Sequence, residues 1–130
     1  MEPMDPHGPR RFVVQHHELS AGGHWDLMLE GDAALATWQL SEPPNVAAGS
    51  PVSARRIGDH RKAYLDYEGP VSRGRGTVRI ADAGRCEVIE AGSQLWRFRL
   101  DGRVLQGTFE LVRQGEDPQA WIFRRAAPPA

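Results

Sequence analysis

One stretch of this chain decides the fold: Gln15-His16-His17-Glu18-Leu19-Ser20-Ala21-Gly22-Gly23-His24-Trp25-Asp26-Leu27-Met28-Leu29-Glu30. Its second half alternates between apolar and polar positions, as a strand with two different faces does. One face carries Trp25, Leu27 and Leu29, and the other carries His24, Asp26, Met28 and Glu30. The pair Gly22-Gly23 supplies a turn before this segment. The pattern therefore predicts a strand over residues 24–30 that can fold back on the segment before the turn.

Three side chains of this stretch are suited to bind a metal ion: His17, His24 and Asp26. His24 and Asp26 are two residues apart and project together from a strand, and the glycine turn can bring His17 beside them. Two imidazoles and one carboxylate suit Mn²⁺ or a similar first-row ion, are compatible with Zn²⁺, and leave coordination positions open for catalysis. Histidines and acids on one strand face also form ordinary solvated surfaces. The spacing alone leaves both interpretations open.

Length and composition indicate one globular domain. The chain has 130 residues, of which 40% are hydrophobic and 25% are charged. No apolar run approaches the roughly 20 residues of a membrane span, and residues 1–10 lack the apolar core of a signal peptide. We interpret residues 1–10 as a flexible arm and residues 126–130 as a disordered tail. Cys86 is the only cysteine, which excludes an internal disulfide and makes a cytoplasmic location the default expectation.

The remaining sequence predicts a mainly β fold. Short β-rich segments separated by Gly, Pro and Asp turns indicate a single-domain antiparallel β-barrel of about eight strands over residues 11–125. One or two short helical turns are expected, including one capped by Asp59 that runs to Tyr64. The predicted strands are residues 11–15, 24–30, 33–40, 55–57, 77–81, 85–90, 95–100, 104–113 and 120–125. The side chains predicted to form the core are Trp25, Trp38, Trp96, Trp121, Leu95, Phe98, Leu100, Leu105, Phe109 and Leu111.

Four motifs occur in an order that resembles a known family. They are FVVQHH with HWDLMLE (residues 12–17 and 24–30), GDHRKAYLDYEG (58–69), GRGTV (74–78) and the closing segment 105–124. Together they resemble the 3′-phosphoesterase domain of bacterial DNA ligase D, over about residues 11–125. The resemblance implies a metal-dependent phosphoesterase that acts at the 3′ end of DNA or RNA-tipped DNA. It would trim 3′ ribonucleotides and remove a terminal 3′-phosphate, with His17, His24 and Asp26 as the metal ligands.

The resemblance also assigns a phosphate-contacting pair, His60 and Tyr64. They are four residues apart, which places them on one side of a helical turn. A protonated His60 would clamp a phosphate oxygen or act as general acid, oriented by Asp59 or Asp66. The implied partners are separate ligase and polymerase repair proteins, and the implied state is a monomer.

Several arginines are candidate substrate contacts. Arg56 lies four residues before His60, so in a regular strand the two would share a face and Arg56 would be a second phosphate clamp. Arg73 and Arg75 flank Gly74 and form either a basic rim for a nucleic-acid backbone or solvated turn residues. Arg61 is a further candidate substrate contact. The net charge of −1 argues against a protein that coats nucleic acid, but permits recognition of one strand end.

The chain departs from the family pattern at several positions. Met28 replaces an arginine that faces the scissile phosphate, Glu42 stands where a lysine is expected, and Gly58 replaces a glutamate. The loop between His17 and His24 is also one residue longer. Loss of a charge-assisted phosphate contact costs about 1.5–3 kcal/mol, which Arg56, Arg61 or Lys62 would have to offset. Two alternatives therefore stay open: a non-catalytic barrel that binds nucleic-acid ends or a repair partner, and a small-molecule phosphatase.

Overall fold

The computed structural model describes residues 10–20 and 22–127. The predicted arm, except for Arg10, and the last three residues of the predicted tail lie outside these residues. The strands are β1 (Arg10–Leu19), β2 (Gly22–Glu30), β3 (Leu35–Leu40), β4 (Val52–His60), β5 (Gly69–Pro70), β6 (Thr77–Ala91), β7 (Leu95–Gly102), β8 (Gln106–Arg113) and β9 (Ala120–Arg125). One short helix, α1 (Pro44–Ala47), and one 3-10 turn (Lys62–Leu65) interrupt them.

The strands form one closed antiparallel barrel. Neighbouring strands follow the order β1-β2-β3-β4-β9-β8-β7-β6, and β6 pairs with β1 to close the circle. The two-residue strand β5 adds to the edge of β6. The predicted antiparallel barrel of about eight strands with one or two short helical segments is therefore confirmed. No helix in the described part of the chain is long and apolar enough to cross a membrane.

The barrel interior holds the main core. Leu27, Trp38 and Phe98 are fully buried there, and Trp25 and Trp96 are partly buried against the same core. The predicted placement of all four tryptophans in the core is confirmed. Of the other predicted core residues, Leu95 alone is only half-buried. The alternation read from residues 24–30 is also confirmed, because Leu27 and Leu29 point inward while Met28 belongs to a different cluster.

A second, smaller cluster covers part of the outer face of the barrel. It contains Val13, Met28, Leu35 and Leu65, with Tyr64 packed against it. Leu65 comes from the 3-10 turn, which therefore lies over β1, β2 and β3. This packing explains why Met28 is completely buried although it faces away from the barrel interior.

The structure corrects several predicted boundaries. Residues 77–91 form one long strand rather than two, because Gly84 stays within β6. A Cβ at Gly84 would lie 2.0 Å from the carbonyl oxygen of Asp101, so the glycine serves a close approach of β6 and β7 and not a turn. The helix α1 was not predicted within the loop 41–51. The 3-10 turn begins after Arg61 and has no side-chain cap, so the predicted cap by Asp59 is wrong.

Candidate metal and phosphate site

The β1–β2 hairpin brings the predicted metal ligands together. His17 pairs directly with His24 across the two antiparallel strands, and their rings meet edge to face with centroids 4.9 Å apart. Asp26 follows two residues later on the same face of β2. One ligand atom from each of His17, His24 and Asp26 lies within 4.8 Å of the other two. The arrangement is compact enough for the three to bind one ion.

The carboxylate of Asp26 is suited to receive a cation. Asp26 is only 4% exposed, and its buried Oδ1 forms no hydrogen bond within the described residues. This oxygen lies 3.2 Å from Nε2 of His24. A buried acceptor without a donor costs about 1–3 kcal/mol, more when it is charged. An ion bound between Asp26 and the two histidines would remove that cost, so the residues present fit a divalent metal.

Hydrogen bonds fix which histidine nitrogens are available. Nε2 of His17 lies 2.6 Å from the carbonyl oxygen of Arg75, and since a carbonyl only accepts, this nitrogen carries the proton and Nδ1 keeps its lone pair. The side-chain amide of Gln39 lies 3.3 Å from Nε2 of His24, and since an amide nitrogen only donates, this ring nitrogen is unprotonated and its lone pair accepts a long bond that a bound ion would replace. Backbone carbonyls commonly orient metal-binding histidines in this way.

His60 and Tyr64 also come together, although not through a helix. His60 ends β4 and Tyr64 lies in the 3-10 turn, and their rings meet edge to face with centroids 5.4 Å apart. Nδ1 of His60 donates to the carbonyl oxygen of Gly58 at 3.1 Å, so Nδ1 carries a proton and Nε2 takes no part in this bond. His60 and Tyr64 therefore lie side by side, but a strand end and a 3-10 turn bring them together, and not the helical turn that was predicted.

Gln15 holds the 3-10 turn beside the metal-binding residues. Its side-chain amide donates to the carbonyl oxygens of Tyr64 at 2.8 Å and Tyr67 at 2.9 Å. Gln15 is buried and pairs with Asp26 across β1 and β2. The hairpin that carries the candidate metal ligands therefore also carries the anchor of the turn. Gln15 and Gln39 were missed in the sequence, although their strand positions place both on the face of Asp26.

Arg56 does not share a face with His60. Arg56 pairs with inward-facing Trp38 in the regular part of β4, and a bulge between Ile57 and His60, opposite Leu35–Thr37, then turns His60 to the other face. The Arg56 guanidinium carbon lies 4.5, 5.2 and 5.9 Å from ring centroids of Trp38, Trp96 and Trp121. Burial lowers the pKa of Arg56, and the charge of Asp59 only partly opposes this. The prediction that regular alternation places Arg56 beside His60 is wrong, because the bulge lies between them.

The other predicted substrate contacts lie on the surface. Arg61 is exposed at the start of the 3-10 turn, and Arg73 is exposed with a positive φ of 64°. The Arg75 side chain bonds Ser72 of its own turn, so its contact with the metal-binding residues runs through its carbonyl group.

The carboxylates expected to orient His60 do not contact it. Asp66 accepts hydrogen bonds from Arg11, which hold the pKa of Asp66 below its usual value, and His60 bonds to Gly58 instead. Arg56, Arg61 and Lys62 are the candidates to replace the family arginine at Met28. Lys62 lies 3.5 Å from Glu30 and Arg56 stacks on Trp38, whereas Arg61 is exposed.

The sequence was compared with known protein families. Residues 15–113 match the model of the DNA ligase D 3′-phosphoesterase domain. The chain belongs to this family. Three relatives named as multifunctional non-homologous end joining proteins LigD extend the match. The relative from Pseudomonas aeruginosa is 32% identical over 94% of this chain, and those from Mycobacterium bovis and Mycobacterium tuberculosis are 28% identical over 88%.

The chain spans 16% of the length of each of these relatives. The match to the 3′-phosphoesterase domain covers the candidate metal ligands His17, His24 and Asp26, the His60–Tyr64 pair and the turn that contains Arg75. The motifs quoted from the sequence therefore identified the family.

Proposed function

We propose that this chain is a metal-dependent phosphoesterase that processes 3′ ends during DNA repair, as a 3′-phosphatase and a 3′-ribonuclease. Membership of the DNA ligase D 3′-phosphoesterase domain family supports hydrolysis and a role in end processing. One observation carries the proposal furthest. Ligand atoms of His17, His24 and Asp26 lie within 4.8 Å of one another, and a buried Asp26 oxygen among them has no donor in the described part of the chain.

His17, His24 and Asp26 would hold the ion, for which we propose Mn²⁺, with Zn²⁺ or another first-row ion as the alternative. When bound, such an ion polarises a phosphoryl oxygen and stabilises the charge that develops as the P–O bond breaks. The ligand set of two imidazole nitrogens and one carboxylate oxygen leaves coordination positions open for water or substrate.

His60 and Tyr64 would contact the phosphate beside the ion. With Nδ1 of His60 bound to Gly58, a second proton on Nε2 can be donated to a phosphate oxygen or to the leaving oxygen. The Tyr64 hydroxyl is a second donor, held near by the bonds from Gln15 to the turn. Arg61 is the exposed cation on this turn and is the proposed replacement for the family arginine at Met28. Arg73 and Arg75 remain candidates for a basic rim that would contact the nucleic-acid backbone.

The test is release of inorganic phosphate from a 3′-phosphorylated primer–template with Mn²⁺ and with a chelator. Wild type should turn over only with the metal, His24→Ala should lose activity, and the circular dichroism of both should match. Trimming of a single ribonucleotide is measured on a matching primer–template whose primer ends in one 3′ ribonucleotide. Equal turnover by both proteins, or turnover in the chelator, would reject the proposal.

A second candidate is a barrel that binds nucleic-acid ends or a repair partner without catalysis. It is favoured by Met28, a fully buried thioether at the position where the family pattern has an arginine. This candidate predicts end binding by fluorescence anisotropy with no turnover under any divalent metal.

The proposed partners for either function are a 3′ end of DNA or RNA-tipped DNA and separate ligase and polymerase proteins, with the chain acting as a monomer.

A further inference from the structure

A row of paired residues, polar as far as Arg55, leads away from the candidate metal site across the outer face of the barrel. Asp26 pairs with Gln39, Gln39 pairs with Arg55, and Arg55 pairs with Ala120, so the row crosses β2, β3, β4 and β9. Trp38, Leu40 and Ala54, the neighbours of Gln39 and Arg55, are buried in the main core. Alternation therefore turns Gln39 and Arg55 outward. Three inter-strand spacings give the row a length of about 14 Å.

Gln39, Arg55 and Ala120 of this row line a surface groove with a volume of about 440 Å³. His24 lies at one end of the groove, where the amide of Gln39 contacts its Nε2. At the other end Arg55 donates a hydrogen bond to the side chain of Gln119. Ser41, Ser53 and Gln114 complete the polar lining, and no Asp or Glu of the described residues lines the groove.

The polar groups of the lining have the chemistry that binds a nucleic-acid backbone, and they lie beside an apolar part formed by Leu40, Ala54, Ala120, Trp121 and Ile122. Amides, hydroxyls and guanidinium groups are the donors that proteins direct at phosphate and sugar oxygens, and an absence of lining carboxylates removes local repulsion of phosphates. Trp121, the aromatic residue of the groove, is only 3% exposed and its indole N–H bonds the carbonyl oxygen of Pro118. It is therefore not placed to stack a base, so binding here would depend on contacts to phosphate and sugar, which carry no sequence information.

We propose that this groove binds the nucleotides on the 5′ side of the scissile 3′ phosphate. The inference rests on the proposed function, because it takes the metal site as the position of the reacting phosphate. His60 and Tyr64 would then contact the terminal phosphate, and Gln39, Arg55 and Gln119 would bind the preceding backbone. The ligand class is a single nucleic-acid strand held through phosphate and sugar, which the enzyme would bind more tightly than a mononucleotide.

The test compares a 3′-phosphorylated primer–template with a 3′-phosphorylated mononucleotide in Arg55→Ala. Loss of one charge-assisted contact predicts about a tenfold higher KM for the primer–template and a KM for the mononucleotide within about twofold of wild type. The matched control is Arg103→Ala, an exposed arginine in the turn between β7 and β8, which should leave both values unchanged. Equal KM values for Arg55→Ala and Arg103→Ala on the primer–template would overturn the inference. An equal loss on the mononucleotide would also overturn it, since Arg55 would then support the reacting site itself.

A binding measurement separates this inference from the proposed function. Anisotropy of the labelled primer–template in chelator, repeated over a salt series, needs no turnover. Arg55→Ala should weaken binding about tenfold and reduce the slope of log Kd against log salt by about 0.7–0.9, the value of one phosphate contact. If wild type shows no hydrolysis and Arg55→Ala still weakens binding in this way, the proposed function is rejected and the binding of nucleic acid in the groove is supported. If wild type hydrolyses the substrate but Arg55→Ala binds it like wild type, the inference about the groove is rejected and the proposed function is kept.

Discussion

The carbonyl oxygen of Arg75 accepts a hydrogen bond from Nε2 of His17 at 2.6 Å. This bond links the turn before β6 to the candidate metal site, and it fixes the nitrogen that His17 presents. Gly76 permits the contact, because its φ is 85° and a Cβ there would lie 2.0 Å from the carbonyl oxygen of Glu18. The position of this turn is thus set by a backbone approach that only glycine allows.

Gly76→Ala should therefore weaken metal binding without removing a ligand. The methyl group would collide with the backbone of β1, move the Arg75 carbonyl and free the His17 ring. Changes to such outer partners typically cost about 10- to 100-fold in metal affinity, which titration calorimetry with Mn²⁺ measures. Gly74→Ala is the matched control, since Gly74 has a similar φ of 66° but a Cβ added there would meet no atom within 4 Å. Equal affinities of the two variants would contradict the prediction.

Met28→Ala should destabilise the protein and loosen the 3-10 turn. Met28 is fully buried against Leu65 on the outer face, and truncation of a buried methionine costs about 2–5 kcal/mol. Urea unfolding measures the free energy of unfolding, and amide exchange at Tyr64 reports on the turn. Met28→Leu keeps the volume and should cost less than about 1.5 kcal/mol. A stable Met28→Ala variant with slow exchange would show that the turn is held by other contacts.

Arg56→Ala should lower stability more than it changes metal affinity. The guanidinium of Arg56 stacks on Trp38, Trp96 and Trp121, and a desolvated cation–π contact of this kind contributes up to about 2 kcal/mol. Thermal unfolding followed by tryptophan fluorescence measures the loss. Arg103→Ala, which changes the exposed arginine in the turn between β7 and β8, serves as the control. A normal melting temperature combined with a large loss of kcat/KM would instead support the phosphate clamp expected from the sequence.

The free energy of unfolding should decrease at acid pH because Glu110 becomes protonated. Burial tends to raise the pKa of Glu110, but hydrogen bonds from Arg97 and Arg124 outweigh it and hold the pKa below its usual value. A lowered folded-state pKa stabilises the protein above the unfolded value, and that contribution is lost as pH falls through the folded pKa. Urea midpoints at successive pH values below neutrality should therefore decline less steeply in Glu110→Gln than in wild type.

Glu110→Gln should also lose about 1–3 kcal/mol at neutral pH, because two arginines lose a partner that is 7% exposed. Glu116→Gln, in the exposed loop between β8 and β9, is the control and should follow the wild-type curve. Parallel acid profiles for Glu110→Gln and wild type would assign the acid sensitivity to other carboxylates.

The sequence by itself determined which residues could meet at one ion. Alternation over residues 24–30 put His24 and Asp26 on one face, and the order of the motifs identified the family. The shared face follows from local physics, since side chains two apart in a strand always share a side. Spacing of the β-rich segments and their turns likewise predicted a closed barrel of short antiparallel strands.

Only the tertiary structure decided where the remaining groups lie. The bulge in β4 placed His60 on the face opposite to Arg56, the 3-10 turn carried Tyr64 to His60, and the turn before β6 presented the Arg75 carbonyl to His17. Each depends on an irregularity or a register between distant segments. Such features are fixed by how the whole barrel closes and packs, so no local pattern of residues encodes them.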